Sequence, residues 1–187
     1  DVTSSEVEKG PFLPYDRDEN GVRPWAIPGM KGLQHRIGGI EKADKTGNIS
    51  YDPQNHELMV KLRAEKVQRI ADTYRPIRLD SGPENGALLI VGWGSTYGAI
   101  RTAALELQKE GHSVAHVHLR HMFPFNKGLR GMLKRYEKVL VPEMNSGQLR
   151  QLMRAEYLVD AQGLNKVQGM PFASEEIRVA ALNMLKS

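Results

Sequence analysis

The most regular pattern of apolar and polar positions lies between residues 86 and 119. Residues 87–91 are unbroken apolar, the mark of a strand covered on both faces. A glycine-rich break follows, Gly92-Trp93-Gly94-Ser95-Thr96-Tyr97-Gly98. Ile100, Ala103, Ala104 and Leu107 then recur on one side of a helix, with Arg101, Glu106 and Lys109 on the other. Gly111 is placed to stop that helix, and residues 113–119 alternate like a second strand. Strand, turn, helix and strand predict a βαβ unit with parallel strands.

The rest of the chain extends this unit. Asn126 is positioned to cap a helix to about residue 136, with Leu129, Met132 and Leu133 inward. Residues 138–142 read as a third strand. A helix from Ser146 follows, with Leu149, Leu152 and Met153 inward, and residues 157–161 read as strand or connector. Ser174-Glu175-Glu176 opens a last helix. Ahead of the unit, residues 56–74 carry an amphipathic helix introduced by Asp52-Pro53 and ended by Pro76, and 77–79 a short strand. The order predicts a three-layer αβα domain on a mostly parallel, Rossmann-like sheet across residues 56–187.

Residues 1–55 keep neither period, because prolines and glycines interrupt them throughout. They are expected to form an extended arm from a preceding domain. Its scattered apolar residues, Phe12, Trp25, Ile27 and Ile37 among them, suit an arm lying on a surface, and a second copy of the chain is one surface that could cover them.

Composition narrows the chemistry. With no cysteine in 187 residues, disulfides, thiolate metal sites and iron–sulfur ligation are excluded for this chain. The net charge of +4 is spread without an arginine-rich arm, so nucleic acid is not an expected partner. No apolar run reaches the roughly 18 residues of a membrane span. The first residues show no secretory leader, and a cytoplasmic location is expected.

Gly92-x-Gly94-x-x-x-Gly98, between a buried strand and a helix, has the context of a phosphate turn in which backbone amides, Ser95 and Thr96 would hold a nucleotide or coenzyme A. The glycine spacing departs from the dinucleotide pattern, and Arg120 stands where an acidic residue would follow the second strand. A tight turn that needs glycine for steric reasons is the other reading. His112, His116, His118 and His121 are the one histidine cluster, without an adjacent carboxylate, so no metal site is expected. Lys127, Arg130, Lys134 and Arg135 make a basic helix face. No catalytic constellation is visible.

Three segments carry a resemblance. They are His35-Arg36-Ile37-Gly38-Gly39-Ile40-Glu41 with the stretch through Arg63, the motif Pro142-Glu143-Met144-Asn145-Ser146-Gly147-Gln148-Leu149, and Tyr157-Leu158-Val159-Asp160 with Asn165-Lys166-Val167-Gln168-Gly169-Met170-Pro171-Phe172. Together they resemble the C-terminal portion of alpha subunits of 2-oxoacid:ferredoxin oxidoreductases, most of all the 2-oxoglutarate branch. The resemblance implies a domain similar to the C-terminal domain of transketolase. It also implies a complete enzyme with thiamine diphosphate, magnesium and iron–sulfur clusters, partnered by the rest of the alpha subunit, a beta subunit and ferredoxin. The motifs that bind those cofactors are absent here. Asn145, Gly147, Gln148, Asn165 and Lys166 are then expected to fix domain or subunit contacts.

Overall fold

The apolar run becomes the central strand β1 (Gly86–Trp93) in the computed structural model, which describes residues 11–187. It pairs in parallel with β2 (Val114–Leu119) on one side and β3 (Tyr136–Glu143) on the other. Strand β4 (Ala161–Asn165) pairs in parallel with β3, giving the order β2-β1-β3-β4. Successive β1 side chains point to opposite faces. Leu88 and Ile90 pack with Ile100, Ala103, Ala104 and Leu107 of α2 (Tyr97–Lys109) and with Ile177, Ala181 and Met184 of α5 (Ser174–Lys186). Leu89 and Val91 pack with Leu129, Met132 and Leu133 of α3 (Leu129–Leu133) and with Leu149 and Met153 of α4 (Gln148–Tyr157). Both faces are therefore covered, and each fully buried Leu or Ile contributes about 1.5–3 kcal/mol. The expected three-layer αβα sheet domain is what the chain forms.

Five elements differ from expectation. Helix α3 is a short turn, because Asn126 uses its side chain to accept from Gly128 N at 3.0 Å and donate to Arg75 O at 2.8 Å. Strand β3 then starts at Tyr136, inside the stretch read as helix. Residues 77–79 form no strand. Ile77 and Leu79 pack on the core, while Asp80 and Ser81 bond across to the outer edge of β2 at His116. Helix α4 starts at Gln148 rather than Ser146, preceded by Gly147 with φ +98°. Helix α5 starts at Ser174, but the residue ahead of it, Ala173, takes the cap position and its N–H is held by Glu176 at 2.7 Å.

The chain divides into two compact units between Thr73 and Tyr74. In the first, α1 (Pro53–Arg69) is capped by the Asp52 carboxylate, which accepts from Gln54 N at 2.9 Å, and has Pro53 in its first turn. Residues 11–52 contain no helix or extended strand. They are tied by isolated bridges, Tyr15 to Lys45 and Lys42 to Ile49, and by an Arg17–Asp44 ion pair at 2.7 Å. Asn55 of α1 bonds to Asp44 N and Lys42 O. Helix α1 thus groups with the segment before it, whereas the sequence pattern put a boundary at 55. The first ten residues of the expected arm lie outside the described residues.

Candidate functional site

The chain leaves β1 for β2 on one side and crosses back to β3 and β4 on the other. That reversal puts a crevice outside the carboxyl ends of β1 and β3, the usual ligand or contact position of open α/β sheets. Glu143 ends β3 there and is fully buried. Its Oε1 accepts from Leu149 N at 2.8 Å, Asn145 Nδ2 at 3.2 Å and Trp93 Nε1 at 3.4 Å. Its Oε2 accepts from Arg150 N at 3.1 Å. The carboxylate therefore satisfies first-turn amides of α4 and sits at the positive end of that helix. Asn145 Oδ1 accepts from Gly147 N at 2.7 Å and Gln148 N at 3.0 Å. From β4, Asn165 Nδ2 donates to Asn145 O at 2.9 Å and Lys166 N to Glu143 O at 3.0 Å.

The structure thus brings Asn145, Gly147, Gln148 and Asn165 together, and Lys166 joins through its backbone. The Lys166 ammonium turns instead to the loop ahead of α5. There it bonds to both Glu176 carboxylate oxygens at 2.8 and 3.0 Å and to Pro171 O at 3.1 Å. That bond holds the Glu176 carboxyl below its ordinary range. Gln148 is exposed. Glu143 organises the site and was not among the expected contact residues. An acidic residue two positions before Asn-x-Gly at a strand end was the only signal for it. Alanine in place of Asn145 is expected to cost about 1 kcal/mol, as loss of a helix cap does, read by urea denaturation.

The glycine turn is shaped by packing. Gly92 is buried, and a Cβ there would lie 2.4 Å from Ile100 Cδ1 and 2.9 Å from His118 Nδ1. Gly94 has φ +58°. The Thr96 hydroxyl donates to Trp93 O at 2.8 Å and accepts from Trp93 N at 3.3 Å. Ser95 is exposed, its hydroxyl 3.8 Å from Met144 Sδ. Gly92→Ala is expected to destabilise the domain by about 1–3 kcal/mol through overpacking, seen as a lower urea midpoint.

The histidines separate. His121 stacks on Tyr74 with centroids 4.1 Å apart, and His112 lies 3.9 Å from Glu110. His116 and His118 share the face of β2 turned to α2, with rings 5.6 Å apart. His116 is fully buried with no hydrogen bond to either ring nitrogen. The fold supplies the carboxylate the local sequence lacks. Asp80 Oδ2 lies 3.4 Å from His116 Nδ1 and 3.3 Å from Arg101 Nε, and Oδ1 accepts from the Tyr97 hydroxyl at 2.7 Å. Burial pushes His116 down to about 4, against the pull of Asp80. Among the described residues no three such groups converge to hold a metal ion. On the basic helix face, Arg130 bonds to Glu156 O and Arg135 pairs with Glu84 at 2.8 Å.

A parallel αβα domain with its polar framework at the β1–β3 crevice is the class the fold and site define. Residues 87–180 match the family described as pyruvate:ferredoxin oxidoreductase core domain II. The chain belongs to that family. The 2-oxoglutarate oxidoreductase subunit KorA of Mycobacterium tuberculosis is 48% identical over 168 residues, which cover 89% of this chain and 25% of that protein. The 2-oxoglutarate synthase subunit KorA of Archaeoglobus fulgidus is 31% identical, over 62% of this chain and 32% of its own. A solved structure of 2-oxoglutarate:ferredoxin oxidoreductase from Magnetococcus marinus, with 2-oxoglutarate, coenzyme A and succinyl-CoA bound, aligns with a TM-score of 0.87 at 29% identity. It covers 96% of this chain and 32% of that one. The chain therefore spans about a quarter to a third of the length of these relatives.

Proposed function

We propose that this chain is the C-terminal scaffold domain of the alpha subunit of a 2-oxoglutarate:ferredoxin oxidoreductase, acting by assembly rather than by chemistry. In the complete enzyme 2-oxoglutarate and coenzyme A become succinyl-CoA and CO2, and the electrons pass to ferredoxin. The observation that carries the scaffold role is how the crevice uses its polar groups. Glu143, Asn145 and Asn165 are bonded to backbone and to one another, which shapes a surface and leaves no acid, base or nucleophile poised.

The chain's residues do not fit the cofactors of such an enzyme. It has no cysteine for a cluster, and among the described residues no three acidic or histidine groups converge on one point. The rest of the alpha subunit and a beta subunit supply those sites. No helix among the described residues is long and apolar enough to cross a membrane, and the complex works in the cytoplasm.

The test is made in the complete alpha–beta enzyme with Asn145 and Gln148 both changed to alanine. Recovery of the assembled complex is expected to drop, with turnover per assembled complex unchanged. Wild-type assembly and turnover would remove the role. Calorimetric titration of the chain with coenzyme A, NADP or ATP addresses the nucleotide-module alternative. No binding tighter than about 100 μM, roughly −5.5 kcal/mol, is expected; tighter binding would make the turn at Gly92, Gly94, Ser95 and Thr96 a ligand site.

A further inference from the structure

Arg150 is a cation without an anion. Its backbone N–H belongs to Glu143, and its side chain runs over two glycines. A Cβ on Gly163 would lie 3.0 Å from its Cδ and 3.2 Å from its Nε. One on Gly147 would lie 3.3 Å from Nε and 3.4 Å from Nη2. A larger residue at either place would crowd this side chain, and at Gly163 also Asn165 Oδ1 at 2.8 Å. Nε is buried and has no hydrogen-bond partner. Among the described residues nothing bonds or pairs with the rest of the guanidinium, whereas Arg17 and Arg178, the other half-buried arginines among them, each reach a carboxylate. The residue is only half-buried, and Nε alone is shut off from solvent, so the two Nη groups are the donors open to an acceptor from outside the chain.

We propose that Arg150 is the seat for an aspartate or glutamate carboxylate supplied by another part of the assembled enzyme. The inference rests on the reading above that the chain is one domain of a larger protein. A protein carboxylate fits better than a phosphate for two reasons. The amides that would cradle a phosphate at the start of α4 are already taken, Gly147 and Gln148 by Asn145, Leu149 and Arg150 by Glu143. The buried Glu143 carboxylate behind them also disfavours a dianion. What remains is the outer edge of the guanidinium, where its two Nη groups form a planar pair of donors matched to the two oxygens of a carboxylate. Three-quarters of the length of the M. tuberculosis relative lies outside the part this chain covers, so most candidate carboxylates do too.

The experiment uses the complete alpha–beta enzyme carrying R150K, treated with a carbodiimide that joins amines to carboxylates without a spacer. Mass spectrometry is expected to find position 150 linked to an Asp or Glu outside residues 11–187, and to find no such link in R150Q. R150E is expected to weaken assembly by tenfold or more and R150K by less. An assembled, active enzyme in which position 150 gives no link, or links only within residues 11–187, overturns the proposal, as does R150E assembling like wild type. Those results leave the scaffold reading standing. A wild-type complex unable to reduce ferredoxin with 2-oxoglutarate would remove that reading instead.

Discussion

Glu143→Ala is expected to destabilise the sheet domain by about 3–5 kcal/mol, the scale for removing one side of a buried charged hydrogen-bond set. The substitution leaves donors from Leu149, Arg150, Asn145 and Trp93 without their acceptor in a fully buried position. It also leaves a void between α4, β1 and β3. Glu143→Gln keeps the shape but turns an amide NH2 toward a site lined with donors. Its cost is expected to be smaller, about 1–3 kcal/mol. Urea denaturation reads both as a lower midpoint with an unchanged slope. A loss under about 1 kcal/mol for the alanine variant would show that Glu143 is not the residue holding α4 to the sheet.

Acid is expected to weaken the domain through His116. Burial lowers this imidazole from an ordinary value near 6.5 to about 4. Between those values the unfolded chain binds a proton that the folded chain refuses, so stability falls as pH drops from about 6.5 toward 4. The lowering corresponds to about 3 kcal/mol at 1.36 kcal/mol per pH unit. The groups facing His116 are Asp80, Arg101, Tyr97 and His118, and only Asp80 favours the charged form. His118 is also lowered, by burial first, and adds to the same trend. Denaturation midpoints measured from pH 7 to pH 4 are expected to drop steeply in the native chain and more gently in His116→Leu. Equal slopes in the two would mean that His116 does not titrate in this window.

What the sequence revealed tracks how local each interaction is. Strand β1 and helix α2 were legible because their partners lie on both faces of one continuous pattern, and Gly111, with φ +88°, ends the helix as read. Helix α3 was not, since five residues show no period and Asn126 puts its side chain into a turn. Strand β2 alternates apolar residues with histidines, yet His116 is fully buried and the 80–81 segment bonds along the strand's outer edge. The Asp80–His116 contact and the donors to Glu143 come from distant elements, and no local pattern carries them. An acidic residue after an apolar strand looks solvated until its donors are in place. Asn145 and Gly147 were found through a family resemblance, and the structure adds that Asn145 holds the amides of Gly147 and Gln148.

Under the proposed function, reactivity resides in parts of the enzyme other than these residues. This is tested most directly by supplying the purified chain with 2-oxoglutarate, coenzyme A, thiamine diphosphate, magnesium and ferredoxin, beside the complete alpha–beta enzyme under the same conditions. Ferredoxin reduction by the complete enzyme and none by the chain alone is the predicted result; reduction by the chain alone would contradict the account.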